Sequence, residues 1–163
     1  MKKIFVTLSL LVAFSVVAVA QNNTQAAQNA DSVIIKITQD NIFSQCFKGV
    51  DANQDGNVTV AEAAAAEELV LGRGGRKNII ANYDFLKFFP NLKRLEIGNT
   101  PNEEVDLRKN WKLEILDLRV GIFLKKITLS VGCYPKIIYP KGTGDFIVNR
   151  VSNPDDPNSI WLE

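Results

Sequence analysis

The stretch NLKRLEIGNTPNEEVDLRKNWKLEILDLRVG, residues 91–121, repeats its own apolar pattern. Three apolar positions recur at one constant, 21-residue spacing: Leu92 with Leu113, Leu95 with Leu116, and Ile97 with Leu118. Apolar pairs separated by one residue follow every ten or eleven residues, at positions 95/97, 105/107, 116/118 and 127/129. Alternation of this kind predicts a short strand at each pair and two strands in each repeat.

The form L-x-x-L-x-L at a 21-residue period is typical of leucine-rich repeats, in which each repeat buries its apolar side only by stacking on a neighbour. The alternative is a small antiparallel β-sandwich with evenly spaced turns. The matched positions of Leu92 and Leu113 favour the repeat, because hairpins of a sandwich do not require such offsets. Asn110 follows one strand where a repeat asparagine would satisfy turn backbone groups, but Thr100 and Gly121 follow its neighbours.

A second motif, DANQDGNVTVAE at residues 51–62, matches the calcium template of helix-loop-helix sites. A hard divalent cation needs six to eight oxygen ligands, and a glycine permits the sharp bend that brings them together. We expect calcium rather than magnesium, because nearly all the ligands come from the protein. The predicted ligands are Asp51, Asn53, Asp55, the backbone carbonyl of Asn57, Thr59 and, through both carboxylate oxygens, Glu62, with Gly56 at the bend.

The same residues also have a structural interpretation. Thr59 and Glu62 form a capping box before AEAAAAEELVL, residues 61–71, which are strong helix formers. The segment is then only an Asx-rich turn that starts a helix. The complete match to the template favours metal binding. Upstream, residues 32–50 predict a short strand and then a helix with Ile42, Phe43, Cys46 and Phe47 on one face.

Three segments together resemble exported bacterial leucine-rich-repeat proteins of the internalin-like, 21-residue type, whose N-terminal cap contains a calcium-loop motif. They are DANQDGNVTVAEA (51–63), FLKFFPNLKRLEIGNT (85–100) and VDLRKNWKLEILDLR (105–119). The resemblance implies an α/β fold: a short, right-handed, non-catalytic solenoid of parallel strands that binds proteins or glycans, with an EF-hand-like helix-loop-helix cap. The chain is short for this class, with about two clear repeats.

The N-terminal segment, residues 1–20, has the anatomy of a secretory signal: Lys2 and Lys3, an apolar run, and Ala18-Val19-Ala20 before the expected cleavage site. We therefore expect an exported protein, in the periplasm, at the cell surface or secreted, with no membrane insertion after cleavage. Residues 21–32 are polar and predict a flexible lead-in. Residues 33–163 are expected to fold as one unit: cap 33–77, repeats 78–130, and C-terminal strands 131–163.

The composition narrows the function. Without Lys2 and Lys3, 17 basic residues face 18 acidic ones, which gives no reason to expect nucleic acid as a partner. The chain has no histidine and no serine in a nucleophile elbow, so we expect no enzyme activity. Cys46 and Cys133 are expected to be buried free thiols.

The middle residue of each L-x-L strand is expected to face outward. One sheet would then present a partner-binding face made of Lys93, Arg94, Glu96, Glu114, Asp117 and Arg119, although mixed charges are also typical of a merely solvated surface. The partner would be a protein or a glycan, bound by a monomer. The alternative function is a structural cell-envelope protein that associates with itself. GRGGRK (72–77) predicts a flexible exit from the second helix, and Ile160, Trp161 and Leu162 are expected to fold over the last repeat.

Overall fold

The computed structural model describes residues 29–72, 79–121, 123–139 and 146–158. The chain divides into two compact units, Met1–Ser32 and Val33–Glu163. The predicted signal peptide, most of the predicted lead-in, the GRGGRK segment after Gly72 and the predicted C-terminal cap at 160–162 lie outside the described residues.

The described part of the second unit is a mixed α/β fold with short strands and little helix. The strands are β1 (Val33–Lys36), β2 (Asn57–Thr59), β3 (Glu68–Val70), β4 (Arg94–Glu96), β5 (Glu104–Asp106), β6 (Ile115–Asp117), β7 (Lys126–Ser130), β8 (Lys136–Ile138) and β9 (Ile147–Val151). The helices are α1 (Ile42–Gln45), α2 (Val60–Ala65) and a 3-10 helix at Asp84–Phe88.

One sheet contains four parallel strands in the order β3-β4-β6-β8. Its central row is Leu69, Leu95, Leu116 and Ile137, each paired with the next. From Leu95 onward, each step along this row equals the 21-residue period of the sequence repeat. Leu69, Leu95 and Leu116 are fully buried, so the row forms part of the core.

A second parallel sheet contains three strands in the order β5-β7-β9, and β1 and β2 form a separate two-stranded sheet. Val105 pairs with Ile127, and Ile127 pairs with Val148, so this row advances along the chain by almost the same step as the first. From β4 to β9 the chain contributes strands alternately to the two sheets. The predicted strands at 95/97, 105/107, 116/118 and 127/129 are confirmed, and their pairing is parallel, not antiparallel as in the sandwich alternative.

The predicted helix at 61–71 is too long. Helix α2 ends at Ala65, Ala66 has an extended backbone, and β3 begins at Glu68. Helix propensities differ by only a few tenths of a kcal/mol per residue. Burying Leu69 and pairing β3 with β4 outweigh such a preference, so residues 68–70 join the sheet.

The predicted upstream helix is also shorter than expected, since α1 has a single turn. Asn41 caps it by accepting from the N–H groups of Phe43 and Ser44. Just beyond the helix, the buried Phe47 ring packs edge-on against Phe85 at a centroid distance of 5.4 Å. Aromatic packing thus connects the segment before the loop with the 3-10 helix that precedes β4.

Cys133 is a free thiol with 1% of its surface exposed, so no disulfide links it to Cys46. Burial raises the pKa of the Cys133 thiol to about 11, which keeps it protonated and unreactive at neutral pH. Cys46 is only half-buried, so the prediction of burial is correct for one of the two cysteines.

Candidate calcium loop and candidate partner surfaces

The 51–62 loop is wound tightly by its own side chains. The Asp51 carboxylate is turned inward, and its two oxygens accept from the N–H groups of Asp55 (3.2 Å) and Gly56 (3.0 Å). Asn53 Oδ1 accepts from Asp55 N–H at 3.0 Å, and Asp55 Oδ1 from Asn57 N–H at 2.7 Å. Gly56 has φ +83°, a left-handed conformation that side chains disfavour and glycine adopts freely.

Glu62 closes the loop by reaching back to its start. Its Oε1 accepts from Ala52 N–H at 3.0 Å, and its Oε2 from Thr59 N–H at 2.9 Å and from the Thr59 hydroxyl at 3.0 Å. Thr59 Oγ1 in turn accepts from Glu62 N–H at 3.2 Å, which completes the predicted capping box. The hydrogen bonds that the Glu62 carboxylate accepts, chiefly the one from Thr59 N–H, lower the pKa of Glu62.

A strand from the same chain supports the loop. β1 pairs antiparallel with β2, which lies inside the loop, and the buried Val58 stands opposite Ile35. Ile37 N–H also donates to the Gly56 carbonyl at 2.8 Å. The single loop therefore needs no second loop to pair its strand.

The predicted ligands are close in sequence and share hydrogen bonds within the loop, and their donors fit calcium chemically: carboxylate, amide, backbone carbonyl and hydroxyl oxygens. Within the described residues, no group of three or more His, Cys, Asp or Glu side chains is arranged to hold a metal ion. Half of the predicted donors are of other types, namely Asn53, Asn57 and Thr59.

One residue of the predicted partner face, Asp117, is buried, contrary to the expectation that it faces outward into solvent. On the outer side of the four-stranded sheet, Lys93, Glu114 and Arg119 are exposed, and Arg94 and Glu96 are half-buried. The Asp117 side chain is only 1% exposed. It lies on the inner strand β6, with Glu96 of β4 on one side and Ile138 of β8 on the other.

Arg119 covers the Asp117 carboxylate. Its Nε lies 3.0 Å from both carboxylate oxygens, and its Nη2 lies 2.6 Å from Oδ2. The Arg119 N–H also donates to Oδ1, at 3.1 Å. The guanidinium side-chain bond is the largest cause that lowers the pKa of Asp117, so the carboxylate stays ionised despite its burial.

The same arrangement occurs once more, at Asp106 and Arg108. Arg108 Nε lies 3.0 Å from both oxygens of Asp106, and Nη2 lies 2.6 Å from Oδ2. The Arg108 side-chain bond lowers the pKa of Asp106 as well. Here the carboxylate side chain is 53% exposed.

In each of the two parallel sheets, two ion pairs link the first strand to the second. In the four-stranded sheet, Lys93 pairs with Glu67 at 2.9 Å and Arg94 with Glu68 at 3.2 Å. In the three-stranded sheet the pairs are Lys125 with Glu103 at 2.6 Å and Lys126 with Glu104 at 2.9 Å. The four cations of these rows are thus already satisfied by carboxylates of this chain.

A cavity of about 450 Å³ lies beside β5, away from the predicted partner face. It is lined by residues of three separate segments: Asn82, Tyr83, Asp84, Lys87, Asn102, Glu104, Val105, Asp106, Arg108, Lys109, Ser152, Asn153 and Pro154. No sequence motif marks the cavity, because these segments are far apart in the chain. One signal was available: one repeat before the 105/107 pair, positions 84 and 86 hold Asp84 and Leu86, so the alternation is broken there.

The comparisons with known proteins identify no relative: no family model matches the chain, and no curated protein and no solved structure matches it. In the ranges that the structure describes, no helix has the length and apolarity needed to cross a membrane.

Proposed function

We propose that this protein is an exported, non-catalytic binding module for a protein or a glycan. Its body is a short, right-handed leucine-rich-repeat solenoid, and one calcium ion stabilises its N-terminal cap. The observation that carries the proposal is the agreement between the 21-residue sequence period and the step between paired parallel strands. A stack of repeats predicts this agreement, because each repeat must place its strand beside the equivalent strand of the next.

The binding role is supported by the chemistry that the chain lacks. The sequence has no histidine, the usual general acid or base near neutral pH. The Cys133 thiol is buried and has a raised pKa. Asp106 and Asp117 each hold an arginine and are ionised, so neither is suited to donate a proton.

Calcium binding is supported by the donor set and by the inward-turned Asp51 carboxylate. At the loop, Asp51, Asn53, Asp55, the Asn57 carbonyl, Thr59 and Glu62 would hold the ion, whose positive charge would offset the negative charges of Asp51, Asp55 and Glu62. Glu62 would have two roles, as a metal ligand and as a capping residue, because the same oxygens that would bind the ion also cap α2.

Asp55→Asn tests the metal while keeping the backbone hydrogen bond that Asp55 accepts. An asparagine keeps the Oδ1 that accepts from Asn57 N–H, but it removes one ligand charge and the exposed Oδ2 that accepts from the Asn53 amide. A hundredfold excess of calcium over Kd would stabilise the native chain by about 2.7 kcal/mol. We expect calcium to raise the Tm of the native chain and to raise that of the variant much less. In chelator the native chain and the variant should have similar Tm values.

Asp40→Asn is the matched control, since Asp40 is exposed and lies outside the loop. Its calcium response should equal that of the native chain. If the native chain melts at the same temperature in calcium and in chelator, the loop is a structural turn without a metal.

The binding role itself is tested by affinity capture with residues 21–163, run against the envelope and medium of the producing cell in calcium and in chelator. A partner retained in calcium and lost in chelator supports a module whose surface depends on the ion-bound cap. Capture of nothing but the protein itself, under both conditions, contradicts it.

The second candidate, a self-associating structural protein of the cell envelope, is favoured by one observation. β8 and β9 are the last strands of their sheets among the described residues, and large apolar side chains are exposed near them. Tyr134 is 72% exposed and Ile147 is 55% exposed. Sedimentation velocity over a range of concentrations distinguishes the two, because self-association predicts a rising mass without any added partner.

A further inference from the structure

The first strand of the three-stranded sheet has an open side. In the four-stranded sheet, β4 has β3 on one side and β6 on the other, whereas β5 pairs with β7 alone among the described residues. One repeat before β5 lie residues 83–85, and they belong to the start of the 3-10 helix. The chain therefore forms no strand where the repeat predicts one, and the cavity of about 450 Å³ is lined both by this segment and by β5.

The backbone of β5 shows which groups face this open side. The Glu103 carbonyl accepts from Lys125 N–H and Lys126 N–H, and Leu107 N–H donates to the Thr128 carbonyl. Successive residues of a strand direct their backbone groups to opposite edges. Residues 103, 105 and 107 therefore face β7, and the N–H and C=O groups of Glu104 and Asp106 face the cavity. No described residue forms a backbone ladder with them.

The charges around the cavity are largely paired within the protein. Glu104 is bound to Lys126, Asp106 to Arg108 and Lys109 to Asp155. A ligand that depended on strong charge would have to compete with these pairs. The Tyr83 ring is 6% exposed, so no open aromatic face is available there for stacking on a sugar. Four backbone groups beside the buried Val105 and Tyr83 have no backbone partner among the residues that the structure describes.

We propose that the open edge of β5 binds an extended segment of a partner polypeptide, which adds to the three-stranded sheet as a further strand. The segment has the pattern polar–apolar–polar: its apolar residue stands opposite Val105 and enters the cavity, and its neighbours stand opposite Glu104 and Asp106. The cavity volume lies within the range of ligand sites. This inference rests on the proposed binding function and names the partner class, a polypeptide rather than a glycan.

The probes are the capped peptides acetyl-Ser-Thr-Val-Thr-Ser-amide and its forms with Ile, Leu or Phe at the centre. At saturating peptide we expect the amide resonances of Glu104 and Asp106 to shift and their hydrogen exchange to slow by about tenfold or more. Because backbone groups carry the recognition, raising the salt concentration should change the affinity little. If none of the four peptides protects these two amides, the proposal is wrong.

N-methylated peptides test the hydrogen bonds on the native protein. One form of the best peptide carries N-methyl groups on both threonines, and another carries one on the central residue. A strand directs alternate N–H groups to its neighbour, so one form should lose binding and the other should keep it, whichever direction the strand runs. Equal binding by both forms overturns strand addition.

Glu104→Pro tests the same bonds from the protein's side. Proline removes the N–H that faces the cavity and is tolerated at the open side of an edge strand. Glu104→Ala is the control, because it removes the carboxylate and keeps the N–H. We expect the proline variant to lose binding and the alanine variant to retain it, and equal affinities would contradict the proposal.

The strand-addition proposal and the proposed function can fail independently of each other. If affinity capture returns a glycan, or a protein whose binding the peptides do not displace, the module remains and the assignment of its partner to β5 fails. If the strand peptides bind and capture fails, the edge is a binding site while the proposed module is contradicted.

Discussion

Residues 106–108 and 117–119 share the sequence Asp-Leu-Arg and nearly the same hydrogen bonds, but they differ in their access to water. In each, the arginine Nε lies 3.0 Å from both carboxylate oxygens, and Nη2 lies 2.6 Å from Oδ2. The Asp106 side chain is 53% exposed, whereas that of Asp117 is 1% exposed.

The neighbouring strands cause this difference. Asp117 lies on an inner strand, between Glu96 and Ile138, whereas Asp106, among the described residues, has a paired strand neighbour on one side, Thr128. The local sequence thus determines the hydrogen-bonded fork, and the position in the sheet determines whether it is solvated. An ion pair is weak at an exposed site, but breaking one at a buried site is costly.

The largest expected effect comes from removing Arg119, and removing Arg108 provides the comparison. Arg119→Ala leaves the Asp117 carboxylate without its main partner, and we expect the free energy of unfolding to fall by more than it does for Arg108→Ala, because the carboxylate left behind is the buried one. Arg108→Ala should cost less than about 1 kcal/mol. Urea unfolding measures both, and equal losses would show that burial does not distinguish the two forks.

A smaller effect is expected from Asp117→Asn, and it should depend on pH. The folded-state pKa of Asp117 is lowered, chiefly by its Arg119 bond, so its stabilisation is present above the unfolded pKa of about 3.9 and is lost as the pH falls through the lower folded value. The free energy of unfolding of the native chain should therefore exceed that of the variant by about 1–2 kcal/mol at neutral pH, and the two should become equal in acid.

Asp106→Asn is the matched variant for that experiment. This variant should also be less stable than the native chain, because Arg108 lowers the pKa of Asp106. Solvent screening should make this loss of stability at neutral pH smaller than for Asp117→Asn. Urea unfolding at neutral and acidic pH compares them. If the stability difference between the native chain and Asp117→Asn persists in acid, packing and not charge explains it.

The smallest effect is that of salt. At about 1 M salt the screening length is about 3 Å, so the exposed Asp106 should titrate closer to the usual aspartate pKa, while the covered Asp117 should change little. Carboxyl carbon NMR resonances follow each group separately in low and high salt. Equal shifts for the two carboxyl groups would argue that water reaches both.

Much of the fold was predictable because the repeated apolar residues are close in sequence and recur at a constant spacing. The 21-residue spacing of Leu95 and Leu116 predicted strands that the structure pairs directly. β3 was not predictable from local sequence, since Glu68–Val70 follows a run of helix formers and becomes a strand only through its pairing with β4. Leu69 pairs with Leu95 across a longer stretch of chain than separates Leu95 from Leu116, so the period is also broken there.

The candidate sites differ in the same way. The capping box of Thr59 and Glu62 and the bend at Gly56 are local, and the structure contains them as predicted. The burial of Asp117 depends on Ile138, which lies in the next repeat and has no motif to mark it. The cavity at β5 depends on an absent strand, a feature that a residue pattern shows only indirectly.

The ion pairs at the first step of each parallel sheet have a consequence for how the chain finds its alignment during folding. A shift of two residues would keep the apolar side chains inward, so hydrophobicity alone distinguishes such a slipped pairing poorly. In the four-stranded sheet, that shift would move Glu68 from Arg94 to either Glu96 or Leu92. In the other sheet it would take Glu104 away from Lys126. These exposed pairs contribute little to the depth of the native minimum, but they penalise the competing alignments nearest to it.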